Sequence, residues 1–122
     1  MNVNQITFAG NAGKDAEGGS TKDGKDWTRF SLCHTYKPKQ GDPVSTWVNV
    51  KCFGWAAKIG RAVRKGDNVC VQGSLSVSNW KDKEGATRVD VSVMANEVGI
   101  VPKVKVDNQN SAPEYPDEEP QF

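Results

Sequence analysis

The fold is decided by the stretch TWVNVKCFGWAAKIGRAVRKGDNVCVQGSLSVSNW, residues 46–80. Apolar residues alternate with other residues over 46–53 and again over 68–80, as they do in half-buried β-strands. Between these segments, from Gly54 to Lys65, apolar residues recur at helical spacing, and Gly66 stands where a helix is expected to end. The stretch therefore predicts two strands joined by one short helix.

Three further segments, residues 3–10, 26–37 and 87–100, show the same alternation between turn-rich boundaries. Five strands, with the helix between the third and the fourth, predict an all-β OB-fold, which is a small, partly open Greek-key barrel that often binds oligonucleotides. A chain of 122 residues with 36% hydrophobic residues supports one small core. We expect this single domain to occupy residues 1–102.

The charges are divided unevenly along the chain. Residues 1–106 hold all 16 Lys and Arg against 10 Asp and Glu, a net charge of +6, whereas residues 107–122 hold five acids and no base, a net charge of −5. The segment after Pro102 has too few apolar groups to offset the entropy of ordering. We therefore predict a basic body suited to a polyanion and a disordered acidic C-terminal tail over residues 103–122.

Alternation gives the predicted strand 46–53 two different faces. Val48, Val50 and Cys52 are expected to point to the core. The opposite face carries Trp47, Asn49, Lys51 and Phe53. Flat aromatic rings for bases, interleaved with cations for phosphates, are typical of a surface that binds single-stranded nucleic acid. The alternative is that the rings cover a second apolar layer or a subunit interface.

The predicted strand 68–80 repeats this division. Its core side is predicted to carry Val69, Val71, Leu75 and Val77, and its polar side ends with Trp80. Beyond it, residues 81–85 read as the tip of a long hairpin, and residues 37–43 as a second protruding loop.

Catalytic and metal-binding classes are disfavoured by the residue inventory. His34 is the only histidine, and the segment around Gly10 and Gly13 lacks the spacing of a phosphate-binding loop. The three cysteines, Cys33, Cys52 and Cys70, lie in strand-like settings and are expected to be reduced, buried thiols. We predict no enzyme activity, no cofactor and no metal. Without an apolar span or a signal peptide, the protein is expected in the cytoplasm, away from membranes.

An ordered set of short motifs over residues 3–101 resembles the bacterial and phage single-stranded DNA-binding proteins. The motifs are Ile6 to Asn11 followed by Asp15 and Glu17, Phe30 to Leu32, Thr46-Trp47, Phe53-Gly54, Lys65 to Val69, Gln72 to Leu75, and Trp80 to Asp82. The resemblance implies an OB barrel in which Trp47, Phe53 and Trp80 stack on DNA bases. Tyr36 is the one candidate for a further family aromatic. Trp27 and Trp55 match no family aromatic, and we predict that they pack in the core.

The resulting hypothesis is a protein that coats and protects single-stranded DNA, whatever its sequence, in replication, recombination and repair. The residues predicted to contact phosphates are Lys14, Arg29, Lys37, Lys39, Lys51, Lys81, Lys83 and Arg88, with Lys22 and Lys25 as further candidates. The resemblance also implies a homotetramer or homodimer in a bacterial cell or a phage-infected bacterial host. Two alternatives stay open: an RNA-binding OB or cold-shock-like module, and a structural protein-interaction subunit.

Members of the resembled family typically end in an acidic run capped by Ile-Pro-Phe. This chain ends Asp117-Glu118-Glu119-Pro120-Gln121-Phe122, so a glutamine separates the final proline and phenylalanine. We predict that Asp117, Glu118, Glu119, Pro120 and Phe122 recruit replication, recombination and repair proteins, because a disordered acidic peptide can dock its terminal ring in an apolar pocket rimmed by basic residues. The alternative is a solubilising tail without a receptor.

Overall fold

The computed structural model describes residues 1–101. Its elements in chain order are β1 (Ile6–Ala12), β2 (Glu17–Ser20), β3 (Asp26–Tyr36), β4 (Val44–Phe53), α1 (Trp55–Gly60), β5 (Asn68–Lys81) and β6 (Thr87–Val101). The predicted tail, residues 103–122, lies outside the described residues.

The strands form one sheet in the order β1-β5-β6-β4-β3-β2, and β1 also pairs with β3, which closes the sheet into a ring. Neighbouring strands run antiparallel except β4 and β6, which pair in parallel where residues 49–52 meet residues 92–95. A closed ring of strands with one helix between β4 and β5 is consistent with the predicted OB-fold, which is confirmed.

The core lies inside this ring. Val50, Cys52, Val69 and Val71 are fully buried, and Val48 is nearly so, as alternation predicted for β4 and for the first half of β5. Burial raises the pKa of the Cys52 thiol to about 11, so this thiol stays protonated at neutral pH. The prediction of buried cysteines is wrong for Cys70, which is exposed, and Cys33 is only partly buried.

The ring contains one strand more than predicted. Strand β2, Glu17–Ser20, pairs with residues 26–29 of β3 at the edge of the sheet. Its sequence, EGGS, has no apolar alternation, so its pairing is determined by the neighbouring strand and not by a pattern of its own.

Helix α1 is shorter than the predicted segment 54–65. Ala56, Ala57 and Gly60 face the core. A Cβ atom on Gly60 would lie 3.3 Å from both the Phe30 ring and the Thr28 methyl group, so only very small side chains allow this approach to β3. Thr28 Oγ1 also donates a hydrogen bond of 2.7 Å to the Ala57 carbonyl oxygen.

Both tryptophans predicted for the core lie elsewhere. Trp55, the first residue of α1, is one of the most exposed large side chains of residues 1–101, because the narrow contact between the helix and β3 has no room for an indole. Trp27 is half-buried on the outside of β3, where its ring packs close to Gly19 of β2.

Strands β5 and β6 extend beyond the ring as a hairpin, which the turn sequence of residues 81–85 predicted. We define the arm as residues 77–91, where, within the described part of the chain, each strand pairs only with the other. At the base of the arm Leu75 is partly exposed, and within it Val77 is exposed, so their prediction as core residues is wrong. The side of the strand that they occupy was predicted correctly, but no further strand or helix of residues 1–101 covers that side.

A register shift lies where the arm joins the ring. Gln72 pairs with Glu97, whereas the next residue, Gly73, pairs with Ala95, which leaves Asn96 as an extra residue in β6. This β-bulge reverses the alternation of β6. On one side of it the even-numbered residues Val98 and Ile100 face the core, and on the other side odd-numbered residues such as Val93 face it.

Among the helices of the described residues, none is long and apolar enough to cross a membrane.

Candidate nucleic-acid interface

The side chains of β3, β4, β6 and β5 that point away from the core form one continuous surface, which we call the outer face. Its middle is the β4 row, in which Trp47, Asn49, Lys51 and Phe53 lie beside Cys33, Ser31, Arg29 and Trp27 of β3. On the other side of β4, Asn49 and Lys51 lie beside Ser92 and Met94 of β6. Alternation thus places aromatic, cationic and polar side chains on three neighbouring strands.

Three of the four predicted stacking residues lie on this face and are about half exposed. The exposed fractions are 55% for Trp47, 52% for Phe53 and 54% for Trp80. The Trp47 ring packs on Gly13, since a Cβ atom at Gly13 would lie 2.8 Å from it. The close approach of glycine backbone therefore holds this indole in place while leaving about half of it open to a ligand.

Trp80 lies on the arm, where it pairs with Arg88. It continues a polar row in which Ser76 lies beside Ser92 of β6, and Ser92 in turn lies beside Asn49 of β4. Because these neighbours share one face of the sheet, Trp80 and Trp47 belong to the same surface.

Tyr36 is exposed but does not lie on the outer face. It pairs with Val44 and alternates in phase with Phe30 and Leu32, whose side chains are buried inside the ring. His34, on the same side of β3, makes an edge-to-face contact with Phe8, at 6.1 Å between ring centroids. The structure therefore separates Tyr36 from the other three aromatic residues, and its stacking role stays a prediction.

The predicted phosphate-binding residues fall into three places. Lys14, Arg29 and Lys51 line one open groove on the outer face, together with Ser31 and Asn49. The second place is the β3–β4 loop with Lys37 and Lys39, and the third is the end of the arm with Lys81, Lys83 and Arg88. The structure thus brings three of the eight cations beside the β4 row.

Both predicted arginines already have a carboxylate partner. Arg29 donates two hydrogen bonds to Glu17, of 2.9 Å from Nε and 2.7 Å from Nη2. Arg88 Nε donates one of 3.0 Å to Asp82. These pairs are exposed and individually weak, so a phosphate can compete for either guanidinium group.

Three carboxylates, those of Asp15, Glu17 and Asp90, also line the groove on the outer face and equal its cations in number. Asp90 accepts a hydrogen bond of 2.8 Å from the Ser92 hydroxyl and one of 2.6 Å from the Asn49 amide. These two bonds, with a smaller contribution from the charge of Lys51, hold the pKa of Asp90 below its usual range. Asp90 is therefore ionised at neutral pH and fixes the orientation of Asn49 in the middle of the outer face.

The outer face has the chemistry of a binding surface. It offers planar rings, cations and polar side chains, and no group of three His, Cys, Asp or Glu side chains in residues 1–101 is placed to hold a metal ion.

Comparison with known proteins agrees with this geometry. Residues 3–101 match the family described as the single-strand binding protein family. The chain belongs to this family. Two relatives are each named single-stranded DNA-binding protein 1. The protein of Synechocystis is 28% identical over 120 residues, covering 97% of this chain and 99% of the relative. The protein of Xylella fastidiosa is 31% identical over 113 residues, covering 88% of this chain and 83% of the relative.

Trp27 and Trp55, two tryptophans predicted to pack in the core, lie outside the core of this fold. Trp27 lies directly beside Phe53 on the neighbouring strand, with the Arg29 guanidinium 5.9 Å from its ring centroid. The signal was present in the sequence, because Trp27 alternates in phase with Arg29 and Ser31 and not with Phe30. The sequence around Trp55 carries no such indication, because the exposure of this side chain depends on how closely α1 packs against β3.

Proposed function

We propose that the protein binds single-stranded DNA independently of base sequence, and that it coats and protects strands exposed in replication, recombination and repair. The observation that carries this proposal is the outer face, where half-exposed aromatic rings lie on the same sheet surface as Lys14, Arg29 and Lys51. Family membership and the names of the relatives support it. We place this activity in the cytoplasm of a bacterial cell or a phage-infected bacterial host.

In this proposal, bases stack on Trp47, Phe53 and Trp80, while lysine and arginine side chains neutralise the phosphates. Every base has a π-face, so stacking tolerates any sequence, at about 1–3 kcal/mol for each stacked base. The backbone contacts add affinity without reading bases. The function requires no catalytic group and no cofactor.

The test is a titration of the intrinsic tryptophan fluorescence with poly-dT, poly-U and duplex DNA at two salt concentrations. We expect strong quenching by poly-dT, weak binding of the duplex, and loss of affinity as salt is raised. Tighter binding of poly-U than of poly-dT would instead favour an RNA-binding module, which recognises the 2′-hydroxyl groups. No response to any of the three polymers would favour a structural protein-interaction subunit.

We further propose that copies of the chain associate as a homotetramer or homodimer. The exposed apolar side of the arm, which includes Val77 and Val89, supports this proposal. Repeating the outer face lets one assembly hold a long strand at several places, which raises the overall affinity. Light scattering should give a multiple of 13.3 kDa, and a monomeric mass would contradict association.

The acidic tail is proposed to recruit replication, recombination and repair proteins through Asp117, Glu118, Glu119, Pro120 and Phe122. These residues lie outside the described residues, so the support comes from their sequence alone. Deleting residues 114–122 should abolish pull-down of such enzymes and should preserve or tighten DNA binding at low salt, because tethered acids compete with DNA for the basic body. Marked weakening of DNA binding would contradict this role.

A further inference from the structure

A second aromatic group lies where β4 ends and α1 begins. Lys25, Phe53, Trp55 and Lys58 line one open groove there, which we call the edge groove, together with Gly24, Asp26 and Gly54. It is separate from the groove of Lys14, Arg29 and Lys51 on the outer face.

The exposure of Trp55 is not explained by packing within the described residues. Its side chain is 75% exposed, and α1 is held to the core by other residues, Ala56, Ala57 and Gly60. Lys58 lies beside its ring, with the Nζ atom 5.8 Å from the ring centroid. An indole left largely in water beside an ammonium group is the kind of platform on which nucleic-acid bases stack.

Trp55 extends the aromatic row of the outer face. Phe53 ends that row and only Gly54 separates it from Trp55, so the two Cα atoms are at most about 7 Å apart. Phe53 and Trp55 both line the edge groove, and Trp27 lies beside Phe53 in the β3–β4 pairing. A strand stacked on Phe53 therefore reaches Trp55 without leaving the surface.

The charges of the edge groove suit a phosphate. Lys25 and Lys58 contribute two ammonium groups, whereas the carboxylate of Asp26 is already occupied. It accepts hydrogen bonds of 3.0 Å from the Ser20 hydroxyl and 2.9 Å from Arg61, and these contacts lower its pKa. Lys58 Nζ lies 4.0 Å from Asp26 Oδ2, at the limit of an ion pair, so a phosphate can draw it away.

We propose that Trp55 is an additional base-stacking position, and that a bound single strand continues past Phe53 into the edge groove, with a phosphate near Lys25 and Lys58. This inference rests on the proposed function and extends it. It adds one stacked nucleotide for each subunit to those proposed to stack on Trp47, Phe53 and Trp80.

The test compares Trp55→Ala, Trp55→Phe and Ile59→Ala, with affinity measured by fluorescence anisotropy of labelled oligo-dT. Trp55→Ala should bind about fivefold more weakly, the low end of the range for one stacked base, whereas Trp55→Phe keeps a ring and should bind nearly as wild type. Ile59 is an exposed apolar residue of the same helix outside the edge groove, so its variant controls for changes to α1 and should bind as wild type.

Two further readouts separate stacking from a structural role. If Trp55 stacks, the Trp55→Phe variant loses part of the fluorescence quenched by oligo-dT while keeping its affinity. In Lys58→Gln, the slope of log affinity against log salt should become shallower by about 0.7, the contribution of one phosphate on a single strand.

Wild-type affinity in Trp55→Ala would overturn the inference, and so would a change of molar mass in that variant, which would make Trp55 a subunit contact. Trp47→Ala serves as the reference for the proposed function. If the wild type binds oligo-dT and Trp47→Ala weakens binding while Trp55→Ala does not, only the present inference is wrong. If the wild type does not bind, the proposed function itself fails.

Discussion

The two halves of β5 have the same alternating pattern and different surroundings. From Asn68 to Gly73 the strand pairs with β1 on one side and β6 on the other, and Val69 and Val71 are fully buried. In the arm, among residues 1–101, it pairs with β6 alone, and Val77, which lies on the same side of the strand as Val71, is exposed.

This difference shows that alternation predicts the direction in which a side chain points but not whether anything covers it. Cover comes from a third strand or from the helix, and both are placed by the topology of the whole ring. The ring half of β5 therefore contributes to stability, whereas the arm contributes exposed surface, with Trp80 on one side and valines on the other.

The largest expected difference between the two halves is in stability. Val71→Ala should lower the free energy of unfolding by about 2–3 kcal/mol, because it removes two buried methyl groups and leaves a cavity. Val77→Ala should change it by less than about 0.5 kcal/mol, as is usual for an exposed position. Urea denaturation of both variants measures the comparison.

The protein concentration matters for this measurement. If Val77→Ala lowers stability as much as Val71→Ala does, and more so at high concentration, then another copy of the chain covers the arm. Equal stability changes at every concentration would contradict the distinction between ring and arm.

Base stacking should also differ between the two regions. Trp47→Ala and Phe53→Ala should weaken single-strand binding by about 1–3 kcal/mol each, and Trp80→Ala by about 1 kcal/mol. The Trp47 ring is already held on Gly13, whereas a ring on a two-stranded arm loses more freedom when it binds. Anisotropy with labelled oligo-dT checks this order, and circular dichroism confirms folding. Unfolding of Trp47→Ala would mean that Trp47 is a core residue.

A smaller effect should distinguish the lysines of the two regions. Lys51 lies in the outer-face groove, so Lys51→Gln should make the salt dependence of binding shallower by about 0.7 in the log-log slope. Lys83, at the turn of the arm, lies outside that groove, so we expect a smaller change in the matched variant Lys83→Gln. Equal changes in both variants would indicate that the strand runs along the whole arm.

The smallest expected effect concerns the turn of the arm. Asp82 accepts hydrogen bonds from the Glu84 and Ala86 backbone N–H groups, both of 2.9 Å, and from Arg88. These bonds, that of Ala86 foremost, lower the pKa of Asp82. Because the folded pKa is lowered, the stabilisation is complete above the ordinary value for aspartate and is lost as the pH falls through the lowered pKa.

In an acid titration followed by NMR, the Glu84 and Ala86 amide protons should therefore lose protection while the ring stays folded. Asp82→Asn should show faster exchange at this turn already at neutral pH, with an unchanged melting temperature. Protection that is independent of pH and of this substitution would show that Asp82 does not hold the turn.

Much of the ring could be predicted from local pattern. The β4 row was assigned correctly, with Val48, Val50 and Cys52 inside and Trp47 and Phe53 outside, because a central strand covered on one face has strict alternation. The hairpin turn near Asp82 and the position of the helix were also predicted, since glycines and polar residues mark both boundaries.

The errors arose where tertiary contacts override local pattern. Helix α1 buries alanines and a glycine in place of Trp55 because it lies so close to Phe30 and Thr28. Strand β2 has no pattern to detect. Arg29 pairs with Glu17 of β2, and Arg88 pairs with Asp82 across the turn of the arm. Neither partner belongs to the same strand as its arginine, so the sequence of one strand could not predict these ion pairs.

The parallel pairing of β4 with β6 also governs how the chain reaches its fold. These strands are separated in sequence by α1 and all of β5, so the ring cannot close until distant segments meet, and topologies of this kind fold in milliseconds to seconds. During synthesis β4 leaves the ribosome well before its partner, and until residues 92–95 arrive it keeps an unpaired edge around Val50. That edge can pair with a neighbouring nascent chain, so the risk of misassembly is concentrated in the interval before β6 is complete.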